Sequence, residues 1–182
     1  MSAEDNKFLT ADGKEIVFTQ EKRKHLQAHP DVLEFIEEAI SKVRIPDGLS
    51  RFEEAISLKR TIGMTLLVQT KPINPDDETD FALRVEREWP VRVFLESEGE
   101  PCDSVTIEII FDQKSKKYFL NTAYIGFPCP DSPYHISDKT GDAYKEALQF
   151  WCSHALAYDP KIMGKPFKAS WKSILTRAQL LS

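Results

Sequence analysis

The sequence predicts an α+β fold in which helices come first, an antiparallel strand meander follows, and a helix closes the order. Three observations predict it. Between residues 20 and 43, apolar residues recur at helical spacing. From residue 61 to residue 125 the texture changes to β-branched and aromatic runs separated by Pro, Gly, Asp and Ser. A helical period then returns over residues 142–158.

Residues 1–14, beginning "MSAEDNKFLT", read as a flexible lead. "EIVF" (15–18) is a short strand. Thr19 offers a side-chain oxygen as N-cap to a helix over "QEKRKHLQAH". That helix ends near His29, because Pro30 lacks an N–H and disfavours a helical residue before it. Pro30 suits the first turn of a second helix, where Leu33, Ile36, Ile40 and Val43 share one face. "IPDG" (45–48) is a turn. Ser50 and Glu53 have capping-box spacing, which predicts a short helix through Ala55 and Ile56.

Five strand segments follow: "TIGMTLLVQT" (61–70), "DFALRVER" (80–87), "VRVFLE" (91–96), "SVTIEIIF" (104–111) and "KYFLNTAYI" (117–125). No crossover helix separates them, so they are expected to pair antiparallel, the last two as a hairpin across "DQKSKK". "GFPCPDSPYHISDKTG" (126–141) is a loop. "DAYKEALQFWCSHALAY" (142–158) predicts a helix with Ala147, Trp151, Ala155 and Tyr158 in its apolar stripe. A basic segment with Trp171, Ile174 and Leu175 ends the chain as a short helix. The sequence shows no repeat, and residues 1–182 read as one domain with a basic extension over 159–182.

Hydrophobic residues at 41% and charged residues at 29% are the composition of a soluble globular protein. No apolar run approaches the roughly 18 residues of a membrane helix. The acidic start lacks the basic and apolar regions of a signal peptide. Cys102, Cys129 and Cys152 form no C-x-x-C, which excludes a zinc ribbon or a thioredoxin-like motif. Reduced thiols and a cytoplasmic location are the expectation. A net charge of −5 argues against broad non-specific nucleic-acid binding. Acid concentrates in "PDDETD" (75–80) and "ESEGEPCD" (96–103), whereas Lys161, Lys165, Lys168, Lys172 and Arg177 follow with no acid among them. That tail is expected to form a positive surface.

No phosphate-binding glycine loop and no nucleophile elbow is present, which sets aside kinase, dehydrogenase and α/β-hydrolase readings. His25 and His29 have the spacing of two metal ligands, but Leu26 stands where a metalloprotease needs glutamate. Neither a metal nor a cofactor is expected. "KRKH" (22–25) is a solvated helix face, or it turns His25 into a cleft where Lys22 or Lys24 attracts phosphate. Arg92 is an exposed partner for neighbouring acids, or a fork that stabilises a phosphorane. His154 is a satisfied core histidine, or part of a site. In "YFLNTAYIG", strict alternation puts Tyr118, Leu120, Thr122 and Tyr124 on one side. Tyr118 and Leu120 are then expected to cover core, with Thr122 and Tyr124 at a cleft mouth. His25, Arg92, Thr122, Tyr124 and His154 contain no obvious nucleophile. A metal-free ribonuclease needs such a set, because RNA supplies its own 2′-hydroxyl.

The succession "KHLQAHP…VRVF…SVTIEII…YFLNTAYIG…FWCSHAL" resembles the barnase/EndoU/colicin/RelE-like (BECR) ribonuclease superfamily, especially its phage- and toxin-associated branches. The resemblance spans about residues 15–158. Its most specific motifs are H-x-x-x-H-P and the "TAYIG" strand end before a proline-rich loop. It implies N-terminal helices packed on a curved antiparallel sheet of four to five strands. It also implies a cleft carrying His25 as general base or acid, Arg92 as phosphorane stabiliser, and Thr122 and Tyr124 as orienting donors. His154 falls outside the family's minimal core. The function implied is that of a metal-independent endoribonuclease-like domain, with an RNA substrate and a protein inhibitor or immunity partner. The alternative is a non-catalytic protein- or nucleic-acid-binding module of a mobile element or toxin–immunity system. An acidic chain and a basic extension depart from the family pattern, and suggest a lost activity or a dedicated partner.

Overall fold

Short helices and many short strands give the chain its α+β character. A computed structural model describes residues 5–26, 30–85 and 89–181. In chain order the elements are β1 (Asn6–Leu9), β2 (Glu15–Phe18), α1 (Gln20–Leu26), α2 (Pro30–Leu33), α3 (Ile36–Lys42), β3 (Arg51–Ser57), β4 (Gly63–Thr65), β5 (Leu67–Gln69) and β6 (Thr79–Arg84). They continue with β7 (Trp89–Phe94), β8 (Glu100–Cys102), β9 (Ser104–Asp112), β10 (Lys117–Ile125), α4 (Asp142–Ser153), β11 (His154–Ala157), β12 (Phe167–Ala169) and α5 (Trp171–Leu181). No helix among the described residues is long and apolar enough to cross a membrane.

The sequence reads as one domain, but contacts divide the chain into two compact units. Unit 1 takes the residues up to Thr65 together with Pro101–Pro128, and unit 2 takes Leu66–Glu100 and Cys129 onward. Each unit has its own apolar cluster.

Unit 1 is built on a sheet of order β1-β2-β10-β9-β3. The expected hairpin is present: Tyr118 faces Phe111 and Ile125 faces Val105. Alternation puts Val105, Ile107 and Ile109 on one face, where they join Ile16, Phe18 and Leu120. Leu26, Val32, Ile36, Ala39 and Ile40 from the three helices complete that cluster. The sheet is mixed, since β2 runs parallel to β10. Asn6–Leu9, expected within a flexible lead, pairs with β2 instead. The second helix is interrupted at Glu34–Phe35 into α2 and α3, and residues 27–29, where the first was expected to end, lie outside the described residues.

The helix predicted from Ser50 and Glu53 is a strand. Arg51–Ser57 pairs along its whole length with β9, and this long-range ladder outweighs a local capping signal.

Unit 2 is built on a sheet of order β12-β6-β7-β11-β5. Stepped inward from β3 and from β12, the two sheets share one pattern: antiparallel, antiparallel, parallel, antiparallel. The pattern of strand directions is shared, but the order in which the chain visits the strands differs between the two sheets. The expected helix over 142–158 stops at Ser153. Residues His154–Ala157 become β11, because Leu156 pairs with both Val93 and Leu67. The segment 61–70 likewise splits into β4, which pairs with β8, and β5.

The basic tail is woven into unit 2. Trp171 is fully buried against Phe81, ring centroids 5.0 Å apart. Lys168 bonds Asp80 and Lys172 bonds Asp76, each at 3.0 Å. Of the five cations expected to form a positive surface, these two are exposed and paired with carboxylates. β12 lies antiparallel to β6, and that register brings Lys168 opposite Asp80.

Candidate functional site

A β-bulge decides what β10 presents. Leu120 lies opposite Ile109, but Thr122, not Asn121, lies opposite Glu108. In such a bulge two residues oppose one, so the alternation resets. Leu120 is buried before the bulge, and Ala123 and Ile125 are buried after it, all in the same cluster. Strict alternation therefore fails between Leu120 and Thr122. Thr122 and Tyr124, both half-buried, lie on the opposite face from the helices.

That second face carries the polar members of the neighbouring strands. Thr106 and Glu108 of β9 alternate with its core residues and are 0% and 7% exposed. Thr106 Oγ1 donates to the carbonyl of Gly126 at 2.8 Å, tying down the end of β10. Gly126 has φ +135°, and a Cβ there would stand 2.8 Å from Thr65 Oγ1. A glycine is required at that turn out of the strand. The "YIG" of the sequence thus marks where β10 stops.

Glu108 is the centre of a polar line. Asn121, the bulged residue, donates its Nδ2 to Glu108 Oε2 at 2.7 Å. Arg51 of β3 approaches the other oxygen, Nε to Oε1 2.5 Å. Lys22 of α1 donates Nζ to Asn121 Oδ1 at 3.0 Å. A buried carboxylate needs such donors, since leaving it unpaired costs several kcal/mol. Lys22 reaches the line because α1 starts where the sequence predicts. Thr19 Oγ1 accepts from Lys22 N at 3.3 Å and fixes the first turn. His25 follows Lys22 by three residues, so it lies one turn further along the same side of α1, exposed.

Unit 1 therefore holds three of the five predicted residues, His25, Thr122 and Tyr124. Unit 2 holds Arg92 and His154, and brings those two together. Arg92 is 5% exposed, and its Nη1 points to the carbonyls of Cys152 and His154 at 3.1 Å and of Trp151 at 3.4 Å. The guanidinium thus fastens the last turn of α4 to the start of β11. Burial pushes its pKa below the ordinary value, although it stays a cation. The same burial pushes the neighbouring Cys152 thiol up, a shift only partly offset by Arg92. His154 stacks on Phe150, centroids 4.0 Å apart and planes 3° off parallel. Its Nδ1 lies 3.0 Å from the Phe150 carbonyl, which can only accept. Nδ1 is therefore the donor in that contact, and Ser153 Oγ also lies 3.0 Å from it.

Glu108, Asn121 and Arg51 are the members that sequence reasoning missed. A signal was present in "SVTIEIIF", where Thr106 and Glu108 interrupt an apolar run with period two. Nothing in the sequence showed that the bulge would turn Asn121 toward that glutamate. No family model, curated protein or solved structure matches the chain.

Proposed function

We propose that the second face of the unit 1 sheet is the site of a metal-independent endoribonuclease. The observation that carries this reading is Glu108, a carboxylate buried on a strand and bonded to an arginine and to the bulged amide. It holds Arg51 and Asn121 in place, and Asn121 in turn receives Lys22 from α1. A scissile phosphate needs such fixed cations, because its phosphorane gains a second negative charge in the transition state.

In this proposal His25 moves the proton. As a neutral imidazole it takes the proton of the RNA 2′-hydroxyl while the 2′-oxygen attacks phosphorus. The imidazolium then returns that proton to the 5′-oxygen as the P–O5′ bond breaks. The products are a 2′,3′-cyclic phosphate and a free 5′-hydroxyl. Lys22 and Arg51 stabilise the phosphorane, a role that the family resemblance implied for Arg92. Thr122, opposite Glu108 in the ladder, and Tyr124, two residues on along the same face, orient the substrate as hydroxyl donors. Arg92 and His154 instead hold the α4–β11 junction.

The test is cleavage of single-stranded RNA in EDTA, with fragment ends read for a 2′,3′-cyclic phosphate. His25→Ala should lower the rate by about 10²–10⁴-fold. Because His25 is exposed, thermal stability should hold. Tyr124→Phe and Glu108→Gln should also slow cleavage, the latter with some loss of stability. Wild-type protein that leaves RNA intact in EDTA would reject the reading.

A further inference from the structure

The face of the unit 1 sheet that carries Glu108 also carries an apolar pair. Strand registers align one row across all five strands: Lys7 of β1, Val17 of β2, Phe119 of β10, Ile110 of β9 and Arg51 of β3. Their chain neighbours Phe8, Ile16, Phe18, Ile109 and Leu120 pack in the helix-side cluster, so alternation turns the row to the opposite face. Val17 is buried, Phe119 is half-buried and Ile110 is 36% exposed. Neither Phe119 nor Ile110 joins an apolar cluster. Directly opposite each other, with Cβ atoms about 4.5–5.5 Å apart, they form one small platform of an aromatic ring and a branched chain.

Cations flank that platform. Arg51, directly opposite Ile110, has a 66% exposed side chain. Its Nε is bonded to Glu108, while Nη2 stands 3.9 Å from Glu53, beyond hydrogen-bond reach. The terminal nitrogens therefore keep donors for a further acceptor. Lys7, at the far end of the row, is 55% exposed and paired with Glu15. Glu108 lies two residues from Ile110, about 7 Å along β9.

Two side chains cover far less than the roughly 800 Å² per partner of a stable protein interface. An aliphatic ligand would cover the pair and leave the arginine unused. A nucleotide uses both, because a base stacks on a ring and a phosphate meets a guanidinium. We infer that Phe119 and Ile110 form the nucleobase subsite of the proposed ribonuclease, and that its substrate is single-stranded. The base stacks on Phe119 and reaches over Ile110, and the adjoining phosphate meets Arg51. A paired base stays in its own stack, out of reach of the ring. The role in cleavage rests on the ribonuclease reading, whereas binding of a strand is measured without it.

The test uses the full chain and a fluorescein-labelled oligodeoxynucleotide of eight adenines, read by anisotropy. DNA lacks the 2′-hydroxyl, so no cleavage intervenes. Wild-type protein should bind the strand, and should bind the matching duplex more weakly. Phe119→Ala should weaken binding by about 5- to 150-fold, the range for one stacked base. Ile110 is exposed, so Ile110→Ser keeps the fold even if Phe119→Ala does not. It should weaken binding by about 4-fold for each methylene that the base covers. Wild-type affinity in both variants, with RNA still cleaved in EDTA, would overturn the inference and leave the ribonuclease reading standing. Weakened binding in both variants, with RNA left intact by the wild type, would reject that reading and keep the base platform. Absence of binding or equal binding of the duplex would overturn the inference. So would a dimer in sedimentation that Phe119→Ala dissociates, which would give the patch to a second copy.

Discussion

Replacing Arg92 with methionine separates a structural arginine from a catalytic one. Nη1 carries two hydrogens and faces three carbonyls, at 3.1, 3.1 and 3.4 Å, so two good charge-assisted bonds are made and the longest is shared. Methionine fills much of the same space but donates nothing. Orphaning two buried carbonyls costs about 1–3 kcal/mol each. Against that, methionine removes a cation that burial already disfavours, as its lowered pKa shows. The remaining partners are neutral, so no uncompensated charge is left behind, and the balance is a loss of about 2–3 kcal/mol. All three tryptophans belong to unit 2, so tryptophan emission in urea follows that unit selectively. With a slope of about 1–3 kcal/mol per molar urea, the midpoint should fall by about 0.7–3 M. Arg92→Lys should lie between, because its ammonium keeps a charged donor on a stem that is shorter than the reach of Nη1. RNA cleavage lost at an unchanged urea midpoint would refute this reasoning and return Arg92 to the active site.

Two further outcomes follow from unit 1. Deleting Asn121 should leave it folded, because Leu120 and Ala123 stay on the core face once the bulge residue is gone. The cost should be about 1–3 kcal/mol, from the donor lost to Glu108, and a melt showing collapse of the unit would contradict the assignment of faces. Glu38 is held at a pKa of about 2, against 4.5 ordinarily, by the Arg60 fork at 2.9 and 2.6 Å and by Lys42 at 3.0 Å. Its folded pKa is depressed, so its contribution to stability is complete above about pH 4.5 and disappears as pH falls toward 2. Urea midpoints measured across that window should be flatter for Arg60→Gln than for wild type, and parallel curves would refute the pairing.

What could be read from the sequence was local. The β9–β10 hairpin followed from alternation on both sides of "DQKSKK", the start of α1 from Thr19, and the turn at 45–48 from "IPDG". What could not be read depended on remote partners. Arg51–Ser57 carries a helix-capping pattern, yet seven residues of ladder with β9 make it a strand. His154–Ala157 continues the helical period of α4, yet two flanking strands claim its backbone. The basic tail and the acidic stretch at 75–80 are opposite extremes along the chain, and β12 on β6 places Lys168 beside Asp80. Charge patterning in sequence is a statement about order, and here the sheet pairs the two extremes.

The candidate site shows the same limit at a single residue. Thr122 and Tyr124 are visible as hydroxyls on a strand, but period two assigns them to the side of Leu120. One extra residue in β10 reverses that assignment while keeping Leu120, Ala123 and Ile125 in a common core. The extra residue is also the one that bonds Glu108 and receives Lys22. A regular strand would pack this core equally well, so packing gives no reason for the bulge. The polar line gives one: the bulge aims an amide at a buried carboxylate and puts Thr122 and Tyr124 on that same face. A buried glutamate so supported is costly to assemble and adds little to stability by itself. It stands between a strand-borne arginine and an amide that receives a helix-borne lysine, and so gathers two cations on this face of the sheet.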